Sequence, residues 1–184
     1  RTQLTGSGLS WQALTEKWDI SDAVNVLTGS GLLPGKANTI LETLNPRGSI
    51  DSLRLSVDSW RAPLSAWNAS MAVTDATTDP YNKVPGLAGI DASITADDAG
   101  ALAWINTRNF DLLLPKVYEA PIHLDSAVGR LAGRWQRGAL YLEEGLFLAE
   151  ASDHNGIIEF EIDIPLSKPA VTTLQMRLAG ALEN

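Results

Sequence analysis

Few side chains in this sequence have the type and spacing that chemistry requires. The chain contains two histidines, His123 and His154, and no cysteine. A metal site needs several ligands that converge, and neither histidine has a second His or a carboxylate at the spacing of a metal-binding motif. His123 lies on the polar side of a predicted strand, and His154 lies in a predicted turn. We therefore expect both histidines to be solvated, and we expect no metal and no cofactor.

The glycine-containing motifs fit neither a nucleophile nor a phosphate-binding loop. The TGSGL segment at residues 5–9 lacks the strand-to-helix setting of a nucleophile elbow. The GSG segment at residues 29–31 lacks the lysine and the spacing of a phosphate loop. Carboxylates such as Glu159 and Glu161 alternate with apolar residues, which is typical of the solvent face of a sheet. We therefore expect that the protein is not an enzyme and has no catalytic residues.

Charge and hydropathy argue against two further classes of function. The 184-residue chain has a net charge of −8, and its 14 Lys and Arg residues are scattered. A nucleic-acid-binding surface needs clustered positive charge, so we expect no nucleic-acid partner. No run reaches the roughly 20 apolar residues that a membrane-spanning helix needs. The start does not resemble a signal peptide, and both ends read as cuts through a longer protein, so we expect flanking segments.

The elements that would position any site change character at Pro46. Residues 1–46 show apolar residues spaced by three and four, which predicts short helices docked on a larger element. A first helix would carry Trp11, Leu14 and Trp18 after a cap at Ser10. A second helix is predicted from Ser21 to Gly29, and a third over 35–44. We define residues 1–46 as a predicted helical segment and residues 47–184 as a predicted sheet.

From residue 47 onward the apolar period is two, which predicts about eleven strands of four to eight residues. The predicted turns are 97–100, 137–138, 143–145 and 154–156, with a longer loop over 74–86. Short connections favour antiparallel neighbours, so the predicted fold is mainly β, a curved antiparallel meander. Because alternate residues point to opposite faces, such a sheet is apolar on one face only.

That apolar face has three possible fates. It can pack on a second sheet as a sandwich, close into a barrel, or remain an open groove around an apolar ligand. The first two are the commoner arrangements. Small inward residues such as Ala69, Ala92 and Gly133, and only three Phe in the chain, favour a face that is not filled by its own side chains. The pattern alone leaves these alternatives open.

Several short motifs in a fixed order resemble the AsmA-like family, specifically its YhdP branch, with TamB a more distant relative. The sharpest motifs are LNPRG at residues 44–48 and PGLAG at residues 85–89. They are followed by FDLLLP at 110–115 and LAGRW at 131–135. The resemblance runs roughly from residue 32 to residue 165 and is weakest at both ends.

The resemblance implies a fold and a function. It implies a periplasmic protein that is anchored in the inner membrane of Gram-negative bacteria by a helix outside this chain. It also implies an open hydrophobic groove, β-taco-like, that conducts phospholipids towards the outer membrane. The implied partners are phospholipid acyl chains, flanking segments of the same long chain, and the inner membrane. The alternative is a non-catalytic β-sandwich that binds or scaffolds other molecules and has a closed core.

Alternation and resemblance together predict the residues that line the groove. They are Leu55, Val57, Met71, Val73, Ile90, Ala92, Ile94, Leu102, Trp104, Leu112, Leu114, Leu124, Leu131, Leu140, Leu142, Leu148, Ile158, Phe160, Ile162, Ile164, Leu174 and Met176.

Overall fold

A single antiparallel sheet dominates the computed structural model. The described residues are 2–7, 10–31, 33, 35–59, 61, 66–82, 84–115, 119–136, 139–151, 154–165 and 173–182. Ten strands follow one another in chain order, and two helices lie between the second and third strands. The first and last strands have one neighbour each, so the sheet is open. The predicted mainly β, antiparallel meander is confirmed, and within the described ranges no second sheet makes it a sandwich.

The strands lengthen towards the middle of the sheet. They are β1 Thr2–Ser7, β2 Ser10–Asp19, β3 Arg47–Val57, β4 Trp67–Thr78, β5 Gly86–Asp97, β6 Gly100–Leu113, β7 Ile122–Gln136, β8 Ala139–Ala151, β9 His154–Pro165 and β10 Thr173–Leu182. The helices are α1 Ile20–Gly29 and α2 Gly35–Leu44.

Residues 10–19 form a strand where the sequence predicted a helix. Their exposure alternates with period two, because Trp11 and Ala13 are half-buried while Gln12 and Leu14 are exposed. Lys17 has a positive φ of 52° and interrupts this alternation. The interruption returns Trp18 to the face that holds Trp11. The seven-residue spacing between Trp11 and Trp18 fits two turns of a helix, but here it arises from a strand with one irregular residue.

The two helices lie close to the predicted positions. Helix α1 begins one residue earlier than predicted, because the Asp19 carboxylate caps it by accepting a hydrogen bond from the Ser21 N–H at 2.7 Å. Helix α2 covers the predicted residues and buries Ile40. Residues 1–46 thus contain two helices and two strands, and those strands belong to the same sheet as the rest of the chain.

Eight strands follow Pro46 instead of about eleven, because three pairs of predicted strands are continuous. Strand β6 runs through Asn109, whose positive φ of 54° interrupts the alternation without ending the strand. Strand β8 likewise runs through 143–145, at a register shift against β7 and β9. Residues 154–156 are paired within β9, so neither of these two predicted turns forms.

The structure confirms one other predicted turn and shortens the predicted loop. The turn at 97–100 is confirmed, and the Asp97 carboxylate accepts hydrogen bonds from the N–H groups of Ala99 and Gly100 at 2.8 and 2.9 Å. The loop predicted over 74–86 is shorter, because β4 continues to Thr78 and β5 starts at Gly86. The turn predicted at 137–138 lies outside the described residues.

The LNPRG motif joins helix α2 to the sheet. Asn45 takes a positive φ of 44° at the end of the helix, and its side-chain amide donates to the Asp79 carboxylate at 3.0 Å. The Arg47 guanidinium binds the other carboxylate oxygen of Asp79 at 2.7 Å, and the Asp79 N–H donates to the Leu44 carbonyl at 2.7 Å. These contacts connect the helix end, the start of β3 and the end of β4.

Gly48 lets this junction form. Its φ is +122°, a conformation that disfavours any side chain, and a Cβ there would lie 2.6 Å from the backbone oxygen of Asp75. Only glycine allows β3 and β4 to approach this closely.

We expect Gly48→Ala to lower the free energy of unfolding by about 2 kcal/mol or more, because it adds both backbone strain and a clash with Asp75. Gly29→Ala is the matched control, since a Cβ at Gly29 meets nothing within 4 Å and should change stability by less than about 1 kcal/mol. Urea unfolding followed by tryptophan fluorescence measures both. Equal effects of the two substitutions would contradict the proposed close approach.

Candidate functional site

Strand register assigns the residues of the sheet to two faces, because residues directly opposite each other in antiparallel strands lie on the same face. We call the face that holds Met71 and Ile94 the apolar face, and the face that holds Ser70 and Thr95 the polar face. Following opposite residues from strand to strand traces rows that run across the sheet.

Three adjacent rows cross the apolar face. The first row is Leu4, Ala13, Leu55, Ala69, Ala96, Ala101, Gly133, Leu142, Ile162 and Leu174. The second row is Thr2, Thr15, Leu53, Met71, Ile94, Ala103, Leu131, Gly145, Phe160 and Met176. The third row is Trp18, Ile50, Val73, Ala92, Ile105, Gly129, Phe147, Ile158 and Leu178.

These rows contain no charged residue, and their only hydroxyl groups belong to Thr2 and Thr15 on the first two strands. Those two hydroxyls lie 3.1 Å apart and hydrogen-bond to each other. From β3 to β10 the second row is uninterrupted hydrocarbon, thioether or glycine. An apolar molecule lying across the strands would therefore meet no polar side chain of these rows along that distance.

Most of the predicted lining residues lie on the apolar face. Besides the row members, register places there Val57, Ile90, Leu112, Leu124, Leu140 and Ile164. Leu114 is half-buried just beyond the end of β6. The structure describes the backbone register, but not the side chains, of seven predicted lining residues. They are Leu140, Ile158, Phe160, Ile162, Ile164, Leu174 and Met176.

Register places Leu102, Trp104 and Leu148 on the polar face instead. Trp104 is 55% exposed and Leu148 is 58% exposed. In β6 the apolar face is occupied by the small residues Ala101 and Ala103. The prediction assigned the larger residues of this strand, Leu102 and Trp104, to the apolar face instead. In β8 the shift at 143–144 changes the phase, which separates Leu148 from Leu142.

Sequence reasoning also missed apolar-face residues, among them Ile50, Ile105 and Phe147. Ile105 follows Ala101 and Ala103 at steps of two, so strict alternation through the small residues would have found it. Ile50 and Leu53 are three residues apart, with Asp51 and Ser52 both exposed between them. No simple period reveals such an irregularity.

Thr107 is a buried hydroxyl on the apolar face, and it has a partner. It is 1% exposed, and its Oγ1 donates to the backbone carbonyl of Gly89 at 2.7 Å. Gly89 has a positive φ of 82° and is the last residue of the PGLAG motif. The hydrogen bond satisfies a carbonyl that the irregular β5 backbone directs away from the strand ladder.

The polar face carries the charged and titratable side chains of the described strands, among them one contact between a histidine and a carboxylate. His123 Nδ1 lies 2.8 Å from the Asp111 carboxylate, and their side chains are 60% and 44% exposed. Such an exposed pair is typical of a solvated surface. Among the described residues no group of three or more His, Asp and Glu could hold a metal ion. A concavity of about 490 Å³ beside Asn68, Thr95 and Arg134 is shallow and open.

Neither α1 nor α2, with ten residues each, has the length and apolar character needed to cross a bilayer; the same holds for every helix in the described ranges.

We expect Thr107→Val to lower the free energy of unfolding by about 1–3 kcal/mol, because the half-buried Gly89 carbonyl would lose its hydrogen-bond partner while the side-chain volume stays similar. Thr95→Val is the control, since Thr95 is exposed on the polar face and its long hydrogen bond to the Leu102 carbonyl measures 3.5 Å. Chemical denaturation of both variants measures the difference. A neutral Thr107→Val would show that this hydrogen bond does not support the bend in β5.

Comparison with known proteins extends these observations. The family described as YhdP protein matches residues 1–180, which is nearly the whole chain. Comparisons with curated proteins and with solved structures gave no match. The motifs at 44–48 and 85–89 lie within the matched range and hold the ends of α2, β4 and β5 in place. The chain therefore belongs to the YhdP family, among the AsmA-like proteins.

Proposed function

We propose that this chain binds phospholipid acyl chains on its apolar face and forms part of a path that conducts phospholipids across the periplasm towards the outer membrane. Membership of a transport-related, envelope-associated family supports this proposal. The observation that carries it is the set of three adjacent apolar rows on one face of a single open sheet.

Hydrocarbon burial supplies the driving force. Each methylene removed from water contributes about 0.8 kcal/mol, so an acyl chain gains several kcal/mol from even partial contact with the rows. The gain does not depend on direction, because apolar contacts have no fixed geometry. A lipid tail is thus held out of water at every position along a row.

Conduction also requires that no position hold the tail much more tightly than the next. The second row offers Leu53, Met71, Ile94, Ala103 and Leu131 in succession, and all five are half-buried hydrocarbon or thioether side chains. A tail that moves from one strand to the next loses apolar contacts and gains similar ones, so its binding free energy changes little. A buried charge or amide in the row would instead create a trap or a barrier.

The path crosses the strands and extends with the sheet. Nine spacings of about 4.8 Å between the ten strands give about 43 Å across the sheet. Strands β1 and β10 each have a free edge that can pair with a further strand. We propose that flanking segments of the same protein continue the sheet at these edges, and that a helix outside this chain anchors it in the inner membrane.

Ile94→Asp tests the function. A carboxylate in the middle of the second row would have to lose its hydration when a tail passes, so we expect co-purified phospholipid to fall at least about tenfold. The protein is expressed in the periplasm of a Gram-negative host and purified. Bound lipid is then measured by native mass spectrometry and by organic extraction.

Thr95→Asp is the matched control, because Thr95 is the next residue of β5 and is exposed on the polar face. We expect it to retain the lipid content of the unmodified protein. Circular dichroism establishes that both variants keep the sheet. Unmodified protein that carries no phospholipid, or equal lipid content in the two folded variants, would refute lipid binding on this face.

A further inference from the structure

We infer that lipid occupies only a strip of the apolar face, formed by the first and second rows, and that the remainder of that face is the protein's own core. This inference rests on the proposed function and specifies where on the face the acyl chain lies. We call the two rows together the lipid strip.

The core begins at the third row, which supplies Ile105, and continues towards the end of β6 and the start of β7. Its members are Ile90, Ile105, Phe110, Leu124, Ala127 and Ala149. Each of them is at most 9% exposed, and Ala127 is only 2% exposed. Such residues already contact protein atoms on all sides, so no space remains there for a tail.

The second row differs in burial. The described side chains of Leu53, Met71, Ile94, Ala103 and Leu131 are all half-buried, although their strands lie in the middle of the sheet. Central strands of a filled core would bury such side chains almost completely. Residual exposure of apolar side chains at the centre of the sheet indicates a surface that remains accessible to a guest.

Two features of the chain lie at the core end. Asp79, just after β4, binds Asn45 at the end of helix α2 and Arg47 at the start of β3. Residues with positive φ interrupt the alternation at Lys17 and Asp75, between the second row and the core end, and at Asn109, beside the core residue Phe110. In β2 and β4 the regular alternation that forms the strip therefore ends before the core end.

The opposite margin of the strip is closed near the ends of β2, β3 and β4, where Ala69 of the first row is itself only 8% exposed. Val57 is 3% exposed there and lies between Trp11 and Trp67 in the register. Two large aromatic residues thus flank a buried valine at this margin. The accessible strip has packed protein on both sides within the described part of these strands.

The occupant that fits the strip is an alkyl chain and not a peptide. The backbone groups of the central strands are paired with neighbouring strands on both sides, and the side chains of the strip offer almost no hydrogen-bond partners. An extended peptide buried there would leave its own N–H and C=O groups unpaired, at a large cost for each. An acyl chain has no such groups to satisfy.

The absence of cysteine allows a direct test by single-cysteine variants. Ile94→Cys and Leu131→Cys probe the strip, Ala127→Cys probes the core, and Thr95→Cys probes the polar face. The rate of maleimide labelling is measured on detergent-delipidated protein, with and without phosphatidylethanolamine vesicles. Lipid binding is measured in the same samples by native mass spectrometry.

We expect vesicles to slow labelling of the two strip cysteines at least about tenfold, while the Thr95→Cys rate stays unchanged. Ala127→Cys should label slowly under both conditions, because position 127 is sealed by protein. Ile105→Ala should also lower the midpoint of thermal unfolding by about 5 °C or more, and Ile94→Ala should lower it much less.

The experiment distinguishes failure of the strip assignment from failure of lipid binding itself. If lipid binds but the strip cysteines are not protected, or if vesicles protect Ala127→Cys, the assignment of the strip is wrong and lipid binding itself stands. If none of the folded variants retains or takes up phospholipid, the proposed function fails.

Discussion

The register of the strand ladders is the constraint on which this molecule depends. Side chains alternate between faces with period two, so a slip of one residue between two strands would move a whole strand's apolar set to the polar face. Ten strands remain aligned so that Ile94, for example, lies between Met71 and Ala103. The apolar rows exist only because every ladder keeps this alignment, and each ladder stabilises the next through burial of the shared face.

Irregular residues interrupt the alternation along individual strands without destroying that alignment. Thr107 and Phe110 are both buried on the apolar face, although they are three residues apart. The two residues between them, Arg108 and Asn109, are both exposed, and Asn109 has a positive φ. Because two consecutive residues lie outside, the strand resumes with its apolar residues on the original face. The row pattern therefore continues past the irregular residue.

This combination explains what the sequence could and could not predict. The mainly β fold, the antiparallel order and helix α2 follow from period and turn chemistry, and the family follows from two motifs with identifiable structural roles. Strand β2 was missed because Lys17 gives Trp11 and Trp18 a helix-like spacing. Trp104 was placed on the wrong face because the apolar-face residues beside it, Ala101 and Ala103, are small, and Leu148 because the register shift at 143–144 changes the phase of β8. Burial of Thr107 depends on Gly89, 18 residues away.

An accessible apolar face imposes a division between function and stability. Side chains that receive a guest cannot be fully buried by the protein itself, so they contribute less to folding than core residues of the same type. The chain compensates at one end of the sheet, where Ile90, Phe110 and Leu124 are almost completely buried and the Arg47–Asp79 ion pair joins the start of β3 to the end of β4. Burial at this end fixes the register of β5 to β8, which supply the core residues. The open rows can then remain smooth and exchangeable, because the shape that exposes them is maintained elsewhere.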